Sequence, residues 1–233
     1  MNTANGNMYG FIDRTYNPIK HAACSHGCCY CYMIDMILRY GGDTTLQLSE
    51  KELNIRLGSG KDIFVGSSTD MFAADVPEEW IIKVLDHLYA FPGNRYLLQT
   101  KNPARFKEFV DHPLFTACRE SVVLCTTVES DLDYPDVSKA PSIGERIVAM
   151  QEIAALGFLT MVTVEPIMQF TDADSFARLI ASVNPCQVNI GANTSRRVKL
   201  PEPSKNEVEA LITALQNLGM DVHLKSNLSR LMS

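Results

Sequence analysis

Residues 62–100 read DIFVGSSTDMFAADVPEEWIIKVLDHLYAFPGNRYLLQT, and this stretch decides the fold. A short apolar run with a polar end (62–68) is followed by an amphipathic segment (78–90) and then by a second apolar run (95–100). Strands that alternate with helical segments in this way build βαβ units, whose strands form a parallel sheet. The same rhythm continues to the end of the chain. Its six apolar runs are DIFVGSS (62–68), RYLLQT (95–100), SVVLCTTV (121–128), FLTMVTV (158–164), CQVNI (186–190) and DVHLK (221–225).

The remaining segments complete this architecture. A further strand is predicted before a cysteine-rich loop at residues 24–31, and more amphipathic segments cover 143–156 and 205–218. The pattern therefore predicts an α/β protein, a single partial (β/α)6-type TIM barrel of parallel strands with the cysteine loop after the first strand. The 233 residues suit one sizeable core and contain no linker-like stretch, so residues 1–233 are expected to form one domain.

The composition is typical of a globular cytoplasmic protein. Hydrophobic residues make up 46% of the chain and charged residues 21%, and no apolar run approaches the roughly 18–20 residues that span a bilayer. The first residues, MNTANGNMYGFIDR, have neither the basic nor the apolar region of a signal peptide, so we expect a cytoplasmic location. The net charge of −6 weighs against a protein that binds nucleic acid mainly through non-specific charge.

One face of the predicted strands is polar at the carboxyl end of each run. Side chains alternate along a strand, so residues two apart share a face, and a parallel strand packed under helices is normally apolar on both faces. Solvation of a strand end would explain one such case, but six in the same phase favour a site at the carboxyl end of the barrel. The residues are Ser68 and Asp70, Gln99 and Lys101, Thr127 and Glu129, Thr163 and Glu165, Asn189, and His223 and Lys225.

The cysteine loop, CSHGCCYC, carries the most specific chemical signal. Cys24, Cys28 and Cys31 have the spacing C-x3-C-x2-C, and a reducing compartment favours a metal over disulfides. Three thiolates at this spacing can hold a [4Fe-4S] cluster and leave the fourth iron without a protein ligand. An open coordination position is what a chemically active metal needs.

Two other metal sites are compatible with parts of this loop. A structural zinc site would take its fourth ligand from His21, His26 or Cys29, although zinc sites normally use paired cysteine or histidine units and no second pair exists. A ferredoxin-type cluster would need a fourth cysteine at a known spacing, which is missing. The spacing favours the cluster with one open iron. Cys29 is expected to pack against neighbouring residues rather than to bind the metal.

The loop resembles the signature of the radical S-adenosylmethionine (SAM) superfamily, in which an aromatic residue precedes the last cysteine. The resemblance continues from Arg14 to Lys225 through TYNPI, SSTDMF, TKNPARF, TVES and VEPIM. This order looks most like a phage-associated radical SAM family of unknown function that is related to spore photoproduct lyase. The resemblance implies an enzyme that reductively cleaves SAM at a [4Fe-4S] cluster, so that a 5′-deoxyadenosyl radical abstracts hydrogen from a substrate.

The same resemblance implies roles for individual residues. Tyr30 would lie near the adenine of SAM, and Lys101 would pair with its carboxylate. The segment Gly66-Ser67-Ser68-Thr69-Asp70 stands where the superfamily usually has Gly-Gly-Glu, and it would receive the amino group of SAM. Thr127 and Glu129 fall on the segment that holds the ribose.

Further candidates come from the later strands. Glu165 falls on the fifth-strand element that resembles the family's cofactor site. Cys125 shares a face with the ribose segment and is a candidate hydrogen-atom donor, as a cysteine is in spore photoproduct lyase, although a small buried hydrophobic residue is the favoured interpretation. Arg196, His223 and Lys225 are candidate substrate contacts. The alternative for Arg196 is a solvent-exposed charge, and the alternative for His223 is a hydrogen-bonded core histidine.

Partners and alternatives follow from the same interpretation. The chemistry requires an electron donor such as flavodoxin or ferredoxin, and the related lyase favours a nucleotide or nucleic acid base as substrate. A short chain leaves the barrel top open, which suits a large substrate or a partner protein that completes the site. The alternatives are a cluster- and SAM-binding subunit of a larger complex, and a zinc-stabilised nucleic-acid-binding module.

Overall fold

The computed structural model describes residues 1–3, 8–20, 24–42 and 45–233 as alternating strands and helices. The strands are β1 (Asn2–Thr3), β2 (Arg14–Tyr16), β3 (Ile19–Lys20), β4 (Gln47–Leu48), β5 (Asp62–Val65), β6 (Arg95–Thr100), β7 (Val122–Thr127), β8 (Leu159–Val164), β9 (Gln187–Ile190) and β10 (Val222–Leu224). The helices are α1 (Tyr32–Tyr40), α2 (Glu50–Leu53), α3 (Glu78–Tyr89), α4 (Pro113–Ala117), α5 (Ile143–Ala155), α6 (Ala173–Ala181), α7 (Lys205–Asn217) and α8 (Ser229–Met232), with short 3₁₀ turns at Pro103–Phe109, Arg119–Ser121 and Ser226–Leu228.

A single large sheet organises these elements. Its strands lie in the order β1-β2-β5-β6-β7-β8-β9-β10, and every neighbouring pair from β2 to β10 is parallel, while β1 is antiparallel to β2. All six predicted runs and the predicted strand before the cysteine loop are present, so the expected α/β fold with a mostly parallel sheet is confirmed. Within the described residues the sheet is open, because its end strands β1 and β10 are not hydrogen-bonded to each other.

The helices cover one face of the sheet because their apolar residues recur at helical spacing. In α5 the buried residues Ile143, Ile147 and Met150 are spaced four and three residues apart, and a reciprocal capping box between Ser142 and Glu145 starts the helix. Ser204 and Glu207 start α7 in the same way. These helices, together with α3, confirm the amphipathic segments predicted at 78–90, 143–156 and 205–218.

The opposite face of the sheet carries a second, smaller apolar cluster. Phe64, Leu97, Cys125 and Met161 project from neighbouring strands, and Tyr9 from the segment before β2 packs on them. This face continues into the polar strand ends predicted from the alternation of side chains. The N-terminal segment therefore covers the inner face of the sheet below the strand ends.

Helix α1 differs from the other long helices. None of its residues is buried, and Leu38 and Tyr40 are 70% and 67% exposed. Among the described helices, none combines the length and hydrophobicity that crossing a membrane requires.

Candidate active site

A cavity of about 740 Å³ opens at the carboxyl ends of the parallel strands. Its wall includes the cysteine loop, the segment after β5, the ends of β6 and β7, the segments after β8 and β9, and the residue after β10. This is the edge at which a parallel α/β sheet normally carries its ligand site. The predicted residues that line it are Cys24, Cys28, Tyr30, Cys31, Gly66, Ser67, Ser68, Thr69, Asp70, Gln99, Lys101, Thr127, Glu165 and Lys225.

The three motif cysteines line one part of this cavity. The loop curls through hydrogen bonds from Gly27 N to Cys24 O (3.0 Å) and from Cys31 N to Cys28 O (3.1 Å). Gly27 has a φ of +53°, a left-handed conformation that favours glycine. Cys29 is not part of the cavity wall. The loop thus presents three thiols to a shared space and leaves out the fourth.

A second loop fixes the outer side of the cysteine loop. Lys139 N donates to His26 O at 2.7 Å, and Cys29 N donates to Val137 O at 2.9 Å. The hydroxyl of Ser138 lies 3.1 Å from Cys28 Sγ. The cysteine loop is therefore held in place by backbone contacts with the segment between β7 and α5.

The donor set fits an iron–sulfur cluster better than the zinc alternative. Thiols are the usual protein ligands of such clusters. The zinc alternative would use His26, but its Nε2 lies 2.8 Å from Asp70 Oδ2, and His21 lies outside the described residues. Among the described residues, no three His, Cys, Asp or Glu side chains lie close enough together to hold a single metal ion.

Burial favours the neutral form of the Cys24 and Cys31 thiols. Burial and the nearby Asp70 raise the pKa of Cys24 to about 12, and burial raises the pKa of Cys31. Thiolates in such surroundings require a positively charged metal centre. Cys24 and Cys31 are therefore suited to be metal ligands whose thiols lose their protons only when a metal binds.

The segment after β5 is shaped by one asparagine. Asn17 Nδ2 donates to Ser67 Oγ at 3.1 Å, and Ser68 N donates to Asn17 Oδ1 at 3.0 Å. A side chain at Gly66 would place its Cβ 2.9 Å from Thr69 O, and the residue has a φ of +75°. The tight turn thus needs glycine, and Asn17 orients the hydroxyl and amide groups that face the cavity.

Asp70 ties this segment to the neighbouring strand and to the cysteine loop. Its Oδ2 accepts from Thr100 Oγ1 (2.9 Å) and from the backbone N–H of Lys101 (2.8 Å), and it contacts His26. Burial alone would raise the pKa of this carboxyl, but these contacts hold it below its usual value. The ionised carboxylate of Asp70 therefore connects three segments of the wall, namely the segment after β5, the end of β6 and the cysteine loop.

Lys101, Tyr30 and Arg146 converge on Glu129. Glu129 Oε1 accepts from the Tyr30 hydroxyl at 2.5 Å and from Lys101 Nζ at 2.8 Å, while Glu129 Oε2 accepts from Arg146 Nη1 at 2.7 Å. Burial raises the pKa of Glu129, but the two cations outweigh it and bring the pKa to about 2. The ammonium of Lys101 also lies 5.3 Å from the centre of the Tyr30 ring. Glu129 lies behind Lys101 and Tyr30, where it lines a second cavity of about 350 Å³.

A second carboxylate–lysine pair lies at the far end of the cavity. Lys225 Nζ donates to Glu165 Oε2 at 2.5 Å, and Asn227 Nδ2 donates to Glu165 Oε1 at 2.9 Å. Lys225 also lies 4.5 Å from the centre of the Tyr9 ring. The hydroxyl of Tyr9 donates to Gln99 Oε1 at 2.7 Å. These contacts join the end of β8, the end of β10 and the N-terminal segment.

Besides Glu129, three candidates lie outside the cavity wall. Cys125 is fully buried in the apolar side-chain cluster beneath Tyr9, and burial raises the pKa of its thiol. His223 is exposed and pairs with Asp221 at 2.9 Å. Arg196 is exposed, whereas its neighbour Arg197 binds Asp35 and donates to the backbone oxygen of Cys29 at 2.9 Å.

Several residues around the site had no role in the sequence-based prediction, among them Arg146, Asn17, Tyr9 and Asn227. Arg146 had a readable signal, because it interrupts the apolar face of an amphipathic helix, and a cation there needs a buried anion. Asn17 belongs to the TYNPI segment of the resemblance, which implied no role for its side chain. Tyr9 and Asn227 had no signal in spacing or periodicity.

The fold is shared with solved structures of radical SAM proteins. A spore photoproduct lyase mutant matches with a TM-score of 0.64 at 12% identity, over 94% of this chain and 78% of its own. A radical SAM methyltransferase from Sphaerobacter thermophilus matches with a TM-score of 0.64 at 16% identity, over 94% of this chain and 67% of its own. Streptococcus suis SuiB bound to S-adenosylmethionine matches with a TM-score of 0.56 at 7% identity, over 91% of this chain and 46% of its own.

The sequence family is more specific than the fold. Residues 8–174 match the family model described as "Protein of unknown function (DUF5131)", and the chain belongs to that family. No curated protein sequence matches the chain.

Proposed function

We propose that this chain is a radical SAM enzyme, with Cys24, Cys28 and Cys31 holding a [4Fe-4S] cluster. The observation that carries the proposal is that these three thiols line the same cavity as the residues predicted to contact SAM. A reduced cluster bound there would supply one electron to SAM and so a 5′-deoxyadenosyl radical for hydrogen abstraction. The protein's own contribution is to bind, orient and shield the reacting groups.

The cofactor contacts are proposed from the wall of the cavity. Lys101 binds the carboxylate of SAM, Tyr30 lies against its adenine, and Thr127 serves the ribose. Glu129, expected from the resemblance to share the ribose, lies behind the wall and instead holds Lys101 and Tyr30 in place. The segment 66–70, held by Asn17, offers hydroxyl and backbone groups to the amino end. Glu165 belongs to the cofactor set at the far end. Support comes from the burial of Lys101, whose side chain is 14% exposed, because a partly desolvated ammonium attracts an anion more strongly than an exposed one.

We further propose the barrel architecture, the electron donor and the substrate class of this protein. The sheet forms a single partial (β/α)6-type barrel within one domain, and an external donor such as flavodoxin or ferredoxin supplies the electron in the cytoplasm. The substrate is a nucleotide or nucleic acid base. Support for this class comes from a similar structure, a spore photoproduct lyase mutant with bound AdoMet and dinucleoside spore photoproduct, which matches 90% of this chain at 12% identity.

The test of the chemistry uses anaerobically reconstituted protein that is reduced with dithionite in the presence of SAM. We expect about four iron atoms per chain, visible absorption from the cluster, and sustained release of 5′-deoxyadenosine. Alanine variants of Cys24, Cys28 and Cys31 should each lose the iron and the product. Cys29→Ala is the matched control and should keep both, because Cys29 is outside the cavity wall.

Other outcomes of this experiment would overturn parts of the proposal. Zinc without iron, and no visible absorption, would favour the nucleic-acid-binding module. An intact cluster that binds SAM without releasing 5′-deoxyadenosine would favour the binding subunit. Equal loss of iron in Cys29→Ala would refute the assignment of the three ligands.

The substrate class is tested separately. With SAM present, a mixture of perdeuterated nucleotides and oligonucleotides should transfer deuterium to 5′-deoxyadenosine, as read by mass spectrometry. Product that forms without deuterium would remove nucleotides from consideration and leave the SAM chemistry intact.

A further inference from the structure

Arg146 is a buried cation on the apolar face of α5. Its side chain is 5% exposed, and the face around it consists of Ile143, Ile147 and Met150. An unpaired guanidinium in such surroundings would be strongly unfavourable, because arginine remains charged in proteins. Its position therefore requires acceptors that reach it from the sheet.

Three acceptors meet the guanidinium at the end of β7. Arg146 Nε donates to Pro141 O at 2.7 Å, and Nη1 donates to Thr127 O at 3.0 Å and to Glu129 Oε2 at 2.7 Å. The backbone of Thr127, a residue of the cavity wall, is thus tied directly to α5. Arg146 itself is not part of that wall and lines the smaller cavity on the other side of Glu129.

The contacts divide one carboxylate between two cations. Glu129 Oε2 faces Arg146, and Glu129 Oε1 faces Lys101 and the Tyr30 hydroxyl. A Lys101–Glu129 pair without Arg146 would be neutral, so Lys101 would have little excess charge with which to attract an anion. With Arg146 present, the three side chains carry one positive charge in excess. The nearby Asp70 is already bound by His26, Thr100 and the backbone N–H of Lys101.

We propose that Arg146 is a positioning residue that neutralises Glu129 from behind and so leaves the positive charge of Lys101 available for the carboxylate of SAM. This inference rests on the proposed function and adds a residue to the cofactor site. Arg146 touches neither SAM nor the cluster in this proposal and acts through Glu129. A structural role alone would stabilise the fold without affecting the choice between ligands of different charge.

The test compares SAM with decarboxylated SAM, which keeps the adenosine, sulfonium and amino groups and lacks the carboxylate. Dissociation constants of both ligands are measured by equilibrium dialysis on the cluster-loaded full chain. The wild type should prefer SAM. Arg146→Met should reduce this preference by about tenfold or more, while a loosened pocket would weaken both ligands equally. Arg146→Lys keeps the charge and should retain the preference within about threefold.

A double variant gives the decisive comparison. In Glu129→Gln/Arg146→Met the buried anion and cation are removed together, so Lys101 again lacks a competing carboxylate, and the preference for SAM should return to within about threefold of the wild type. This variant also carries the test if Arg146→Met fails to fold, because it removes the buried carboxylate that Arg146→Met leaves with fewer donors, and the charge that remains, Lys101, lines the open cavity. Continued loss of the preference in the double variant would overturn the proposal.

The controls separate this inference from the proposed function. Arg95→Gln removes a guanidinium at the opposite end of β6, where it pairs with Asp62, and should leave the preference unchanged. A wild-type protein that holds its cluster but binds neither ligand would refute the proposed function. A wild type that prefers SAM together with an Arg146→Met variant of equal preference would refute only the role of Arg146.

Discussion

Replacing Glu129 with glutamine removes the charge that Lys101 and Arg146 share and keeps the shape of the side chain. The amide oxygen of glutamine can still accept the hydrogen bonds from Tyr30 and Lys101, but its NH2 group then faces Arg146, and two cations remain with no counter-charge between them. Removal of one member of a buried ion pair typically lowers stability by roughly 3–5 kcal/mol. We therefore expect a large loss of stability from a change of a few atoms.

The pKa of Glu129 yields an independent magnitude. Burial raises this pKa, but Lys101 and Arg146 outweigh burial and lower it from 4.5 to about 2. One unit corresponds to about 1.4 kcal/mol, so the ionised carboxylate contributes roughly 3 kcal/mol to the free energy of unfolding at pH 7. This contribution is similar to the typical loss of stability on removing one member of a buried ion pair.

The sign of the pH dependence follows from the same shift. The folded-state pKa lies below the unfolded one, so the contribution is complete well above pH 4.5 and is lost as the pH falls toward 2. Roughly 1 kcal/mol should be lost by pH 4 and roughly 2 kcal/mol by pH 3. The difference in stability between wild type and Glu129→Gln should shrink by these amounts.

Urea denaturation of the full-length chain before cluster reconstitution, at pH 7, 4 and 3, measures this difference. Glu152→Gln is the matched control, because Glu152 pairs with Lys107 at the surface and should contribute no more than about 1 kcal/mol. A loss below about 1 kcal/mol for Glu129→Gln at pH 7 would contradict the predicted contribution. A wild-type-to-variant difference that stays constant down to pH 3 would refute the assignment of the charge.

Two further predictions concern local packing. Gly191→Ala would place a Cβ 2.7 Å from Glu165 Oε1 and should lower the free energy of unfolding by roughly 1–3 kcal/mol, whereas Gly144→Ala, whose Cβ meets nothing within 4 Å, should leave it unchanged or raise it by up to about 1 kcal/mol. Equal effects of the two changes in urea denaturation would contradict this. In the native metal-free protein, a maleimide should label exposed Cys186 and leave buried Cys125 unmodified until unfolding, as read by peptide mass spectrometry. Labelling of both at the same rate would be incompatible with the placement of Cys125.

The strands and three long helices could be predicted because each has a local periodic signal. The alternation in 122–127 and 159–164 indicated strands, and the spacing in 143–156 indicated a helix. Helix α6 has a comparable signal, because Phe176, Ala177 and Ile180 recur at helical spacing on one buried face, but it is not among the predicted helices. Helix α1 buries none of its residues, so its apolar positions do not report on the core.

Part of the cavity wall was predictable as a set of residues, and the contacts between them were not. Strand phase brought Lys101, Thr127 and Glu165 to one edge, and the cysteine spacing identified the loop. Which groups contact one another depends on strand register, and the patterns in one sequence do not reveal that register. Lys101 meets Glu129 because Thr100 pairs with Thr126 across the β6–β7 ladder, which brings the two strand ends side by side.

This pairing changes what the lysine can do in a binding site. An anionic ligand that approaches Lys101 must compete with a carboxylate already 2.8 Å from the ammonium. The attraction between unit charges at that range is several kcal/mol in a partly buried site, so a neutral pair would resist the exchange. A guanidinium on the far side of Glu129 weakens the competitor without entering the cavity. The affinity for an anionic group is therefore set by a residue on a helix that the ligand never meets, and the lysine alone is a poor guide to it.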